Sequence, residues 1–340
     1  MSRIITLLVI IIALIISSLT AIQKNEASTY ITYTSIIEEG VSYIIDNELN
    51  NALKSYEKAL FLIKKPLASH CFTGLQVAAS LKKKQKFHKF LKKGFSRGLV
   101  PKDLTKDSLL NSFVKKNKLE MMVQKTYEKH KTRYSQNIDK FLSDTISKIS
   151  AYDNKWKVFY LDSLSSVDKN SAKLYDDKYD SIVNRLVEEK LIPLILQYGY
   201  PGERQIGIER VSIKSEPYDY AFVQNSAFLV LLHYYSRPKG CKYNVLLYNE
   251  VKKGNLKPEH YATFIDYQIK YGGKMNCNLL PYNQWRISDT IDIQKINLKR
   301  AKIGLGKFEL IKKKYNRGMD ICRETDMGNY KHIKLFYWCG

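Results

Sequence analysis

The sequence predicts an all-α protein: an apolar amino-terminal helix, a short array of helical hairpins, and a second unit of antiparallel helices. Three observations predict it. Tyr179, Ile182, Val183, Leu186 and Val187 fall at i, i+3, i+4, i+7 and i+8, which is the stripe of a helix packed on one side. Between Ala227 and Gly272 three apolar segments are cut by Pro238, Gly254 and Pro258, with connections short enough to make neighbours antiparallel. Small residues and aromatics also recur at an offset of thirty-four, Gly40 to Gly74, as in stacked helical pairs.

The chain opens MSRIITLLVIIIALIISSLTAI, in which nineteen residues from Ile4 to Ile22 carry no charge. No face of this segment is polar, so a buried soluble helix is a poor account of it. Its length lies between a secretory signal and a membrane span, and its cleavage signal is weak. The expectation is export, with residues 1–28 either removed or kept as a membrane anchor. A bacterial envelope location follows, periplasmic or held at the inner membrane. Arg3 places the amino end on the cytoplasmic side.

Lys and Arg number 56 against 33 Asp and Glu, a net charge of +23. Only eleven of these are Arg, and the lysines are scattered, so a specific nucleic-acid partner is not expected. Hydrophobic residues at 44% are ample for a core over two domains. Cys71, Cys241, Cys277, Cys322 and Cys339 contain no CxxC spacing and no histidine at zinc-finger distance, so neither a metal nor a cofactor is expected. Export permits disulfides among the last four, for instance Cys241 with Cys277 and Cys322 with Cys339. Leu75 and Ala78 at helical spacing make Cys71 a burial position.

From Ile36 to Lys65 the residues Gly40, Tyr43, Ala52, Tyr56 and Ala59 set small side chains where two helices approach and aromatics beside them. Pro66 ends the unit, and ASHCFTGLQVAASL with Phe87 and Phe90 forms a degenerate second copy. This pattern resembles a tetratricopeptide repeat. The resemblance implies an interaction module over residues 29–140, closed by the helices after Leu104, with an envelope protein or peptide as partner. His70 and His88 are expected as ordinary helix residues, and KKKQKFHKFLKK as a solvated face.

The second unit, 141–314, begins with a helix near Leu142 to Leu161, then the striped helix from Tyr175 to Leu196, kinked or restarted at Pro193. QYGYPGERQIG reads as a turn, and in the tail 315–340 the alternation of HIKLFYWC suggests a strand. Several marks stand out here: Asp153–Asn154 with Lys157, Gly199–Tyr200–Pro201 with Gly207, Leu232–His233–Tyr234, Asp266, and INLKRAKIGLG with Arg300. Together they resemble an uncharacterised bacterial family, one of the numbered domains of unknown function that stand behind exported helical repeats. The resemblance implies a helical fold and no reaction. The chain departs from the family at Asn154, Lys157, Leu232 and Tyr267, and only Tyr282 and Gln284 remain of a Tyr-Gly-Thr-Gln stretch.

The candidate catalytic residues are His233, Asp266 and Asp153. His233 lies at the rim of the face made by Ala227, Val230, Leu231 and Tyr234. Asp266 sits on the edge of the stripe of Ala262, Ile265 and Ile269, where an unpartnered carboxylate is costly. If their helices are antiparallel neighbours, Asp266 orients the His233 ring for proton transfer. Asp153 joins them as a second carboxylate, or pairs with Lys157 four residues on. No GxSxG, HExxH or phosphate loop is present. Two functions follow: an envelope interaction scaffold built on the repeats, or an exported hydrolase using His233 and Asp266.

Overall fold

The computed structural model describes residues 29–159, 169–209, 226–272, 279–284, 292–324 and 333, with backbone alone for 169–171 and 318–324. The apolar leader, and HIKLFYWC apart from Ile333, lie outside them. The described residues are 76% helix with no strand among them, so the all-α expectation stands. No described helix is long and apolar enough to cross a membrane.

The first unit runs through α1 (29–45), α2 (Leu49–Leu62), α3 (Ala68–Ser80), α4 (Lys84–Phe95), α5 (Pro101–Lys106), α6 (Ser108–Lys116) and α7 (Glu120–Ser135). Helix α3 is its axis and packs on α2, α4 and α6. It is built of small and apolar residues on all sides, and nearly all of it is buried, Cys71 included. Its fully buried Gln76 is satisfied by donating to Asp107 at 2.7 Å, while Asp107 caps α6 through Leu110 N–H. Gly40 lies against the Tyr56 ring and Gly74 against the Phe90 ring. Both pairs are sixteen residues apart, and the second follows the first by thirty-four.

The second unit comprises α8 (Lys140–Lys157), α9 (Lys169–Arg185), a π-helical turn (Leu186–Leu191), α10 (Ile192–Tyr198), α11 (Glu203–Ile206), α12 (Ser226–Tyr235), α13 (Asn244–Lys252) and α14 (Pro258–Tyr271). The stripe from Tyr179 to Val187 is buried as expected. Pro193 stands in the first turn of α10, where the π-helical turn gives way to a new α-helical segment, as the sequence allowed. It has no N–H to give and its ring crowds the carbonyl four residues back, and the wider π turn just before it accommodates both. The turn after Tyr198 is more ordered than the sequence suggests. Gly199 and Gly207 take φ +83° and +82°, and α11 fits between them.

Helices α15 (Ile293–Ala301) and α16 (Phe308–Glu324) join the units. Ile303 and Leu305 enter the second core, and Leu310 enters the first. Along the seam Glu203 accepts from Ala68 N–H at 2.6 Å and caps α3, with Lys257 3.4 Å away. Thr34 fills the space beside Gly304, and Gly306 N–H reaches Glu38. One face of α1 is therefore covered by the chain's own carboxyl-terminal half.

Half-buried His70 also lies at this seam, 2.6 Å from the Tyr33 hydroxyl, which in turn accepts from Leu67 N–H. Burial foremost, then Lys257 and Lys314, push its pKa from 6.5 down to about 3. The unfolded chain thus binds a proton below pH 6.5 that the folded chain refuses. Folding stability should be flat above pH 6.5 and fall from there towards about pH 3, and His70→Gln should flatten that fall in a series of urea titrations. A Cβ on Gly40 would lie 2.8 Å from the Tyr56 ring, so Gly40→Val should cost about 1–3 kcal/mol, with part recovered by adding Tyr56→Leu.

Candidate functional site

Two polar clusters hold the three expected site residues, and they divide differently from the expectation. The first lies where α8, α9 and α12 meet. Leu142, Ile146, Ile149 and Asp153 are the buried residues of α8, at i, i+4, i+7 and i+11, so Asp153 continues an apolar stripe into the core at 1% exposure. From α12, the His233 ring approaches until Nδ1 lies 2.6 Å from Asp153 Oδ2. From α9, the Tyr179 hydroxyl donates to Oδ1 at 2.9 Å. Both carboxylate oxygens are taken by side chains of other helices.

Burial, then the Asp153 charge, raises the Tyr179 pKa far above the usual phenol range, while Arg237 pulls the other way. Tyr179 therefore remains a donor. Arg237 sits over its ring at 5.9 Å and forms a forked pair with Asp176, with Asp180 at 3.3 Å. His233 stays partly open, its side chain 19% exposed. The Asp153 contact makes Nδ1 the protonated nitrogen and leaves Nε2 as the acceptor, unbonded to any described residue.

The second cluster belongs to Asp266, which is not the partner of His233. Helix α14 presents His260 and Phe264 to α12: Phe228 stacks on His260 at 4.0 Å and on Phe264 at 5.4 Å. Asp266 follows Phe264 by two residues, a rotation of about 200° around the helix, and points to the opposite side. There it is fully buried and accepts from the backbone N–H groups of Tyr282, Asn283 and Gln284 at 2.7, 3.2 and 2.5 Å. Arg300 grips the same loop, donating to Tyr282 O at 2.9 Å and to Gln284 Oε1 at 3.2 Å. Tyr282 and Gln284 thus serve as a structural loop held by Asp266 and Arg300.

Asp153 is likewise no partner of Lys157: the carboxylate lies on the core side of α8 and its two oxygens are occupied. The sequence carried a signal for this, an acid at the next position of an apolar stripe. For Tyr179 the stripe said only that the ring is buried, and Arg237 stood beside Pro238 as part of a stop signal. Among the described residues no group of His, Cys, Asp or Glu is placed to hold a metal ion.

No family model, curated protein or solved structure matches this chain.

Replacing Asp266 should act on stability. Asp266→Ala leaves three buried N–H groups without an acceptor and should cost about 3 kcal/mol or more, whereas Asp266→Asn retains one oxygen and should cost less. Chemical denaturation of both variants measures the difference.

Proposed function

We propose that the protein is exported and that its second helical unit carries a histidine–aspartate proton-transfer site of the hydrolase type. One observation carries this reading. Asp103, Asp107, Glu203, Glu250 and Asp266 are buried carboxylates that each accept from at least one backbone N–H. Among the described residues Asp153 instead accepts only from a tyrosine and from an imidazole whose other nitrogen is unbonded there. In this reading Nε2 of His233 takes a proton from water or a hydroxyl as it attacks an electrophilic carbonyl or phosphoryl centre. Asp153 fixes the tautomer and offsets the imidazolium charge, and the proton then passes to the leaving group. Tyr179 is a positioning residue.

Two features support export. The nineteen-residue apolar run is one. The other is Cys241, which is disulfide-bonded, whereas Cys71 is free.

His233→Gln and Asp153→Asn should each lower turnover by about 10²-fold or more on whichever chromogenic ester or phosphodiester the parent cleaves. Tyr179→Phe should lower it less and shift the pH–rate profile. Independently of substrate, the Nδ1 proton of His233 should give a downfield NMR resonance that disappears in Asp153→Asn. A parent resonance absent at low temperature, or full turnover in His233→Gln, would sink the assignment.

The interaction-module reading is favoured by a separate observation. Gly40 on Tyr56 and Gly74 on Phe90 repeat one tetratricopeptide-like contact at the thirty-four-residue offset. Because one face of α1 is occupied by the second unit, an envelope partner would use outward surfaces such as that around Phe61, which is 50% exposed. A photo-crosslinker at position 61 that captures no envelope protein in intact cells would count against this role.

A further inference from the structure

The seam between the units gathers cations around the turn that links α2 to α3. Arg97, two residues beyond α4, is 3% exposed, and its Nε donates to Pro66 O at 3.2 Å. Its Nη2 is buried with no hydrogen-bond partner among the described residues, and so is Nε of Arg204. Lys65 adjoins Pro66 in sequence and is half-buried, and it forms no ion pair with a carboxylate among the described residues. Lys93 lies over the Phe61 ring at 5.0 Å, just before the same turn. Arg204 follows Glu203, whose carboxylate caps α3 at Ala68, and its guanidinium stands over Tyr30 at 5.3 Å with Nη1 on Lys253 O.

Burying an unpaired guanidinium is costly, and a folded chain tolerates it where water or an anion completes the shell. Glu203, the carboxylate whose charge acts on Arg97, is already shared between the α3 cap and Lys257. Burial and mutual repulsion both act on the cluster: Lys65 is lowered by burial, then by Arg97 and Arg204. Lys93 is lowered by burial and, among the charges, by Arg133 and Arg97. A bound anion would relieve that repulsion.

The geometry points to an oxyanion site formed by Lys65, Lys93 and Arg97, with Arg204 at its edge, that takes a phosphate group. Three to four positive charges facing one shared carboxylate match a dianionic phosphate better than a single carboxylate ligand. The free N–H edge of Arg97 supplies directional donors, and the lysines supply point charges. The group could arrive as free phosphate or as a phosphomonoester lipid headgroup.

Isothermal titration of the full-length protein in detergent with inorganic phosphate, at ionic strength held constant with chloride, tests the site. Saturable binding is expected, weakened at least tenfold by Lys65→Gln and by Lys93→Gln and abolished by Arg97→Gln. Flotation with phosphatidylcholine vesicles containing phosphatidic acid separates the sources. Flotation that free phosphate competes away assigns a lipid headgroup, and phosphate binding without flotation assigns a soluble one. Binding of neither probe beyond the chloride control overturns the proposal. So does a normally folded Lys65→Gln and Lys93→Gln pair that both bind phosphate like the parent.

Discussion

The fold depends on one constraint: a carboxylate taken out of water must be given donors, and this chain has few carboxylates to spare. With 33 acids against 56 bases, six acids are nonetheless buried among the described residues: Asp103, Asp107, Asp153, Glu203, Glu250 and Asp266. Most of them join segments distant in sequence. Glu203 caps α3 across 135 residues, and Glu250 reaches back fifty residues to accept from Tyr200 N–H at 2.7 Å. Asp266 and Arg300 close on the loop 282–284 from two helices. Burial of this kind contributes little net stability, because desolvation offsets the pairing, yet removing one partner is expensive. The acids therefore fix which helix meets which, and the lysines are left to cover the outside.

That division leaves the excess of bases at the surface. A chain that places acids in its interior displays its bases by default, and most of the α4 lysines are exposed. Where cations do converge inward, at Arg97 and its neighbours, no acid has been set against them in equal number. The contrast separates a surface charged by composition from a cluster whose donors point inward.

Much of the helical framework was legible because it rests on local rules. The stripe on α9, the breaks at Gly254 and Pro258, and the burial of Cys71 follow from periodicity and backbone chemistry within a few residues. The candidate site was legible only in part. His233 at a helix rim could be read from α12 alone, and Asp153 from the stripe of α8. Their pairing could not be read, since it depends on how α8, α9 and α12 cross. The Asp266 assignment failed for a related reason. Adjacency of α12 and α14 was sound, as the stacking of Phe228 on His260 and Phe264 shows, but adjacency does not say which face is turned. A residue two positions from the contact is nearly opposite to it.

The comparison between Asp153 and Asp266 also shows why burial alone does not identify chemistry. Asp266 is the more enclosed of the two and would rank first by desolvation. Yet three backbone N–H groups hold it, and a backbone donor cannot exchange its proton with a substrate. Asp153 is held by groups that can move or share a proton, and the ring it orients reaches the surface at 19% exposure. What distinguishes a working carboxylate from a structural one is the kind of donor it faces. By that measure the described residues contain one candidate pair, set in the second unit where α8, α9 and α12 meet.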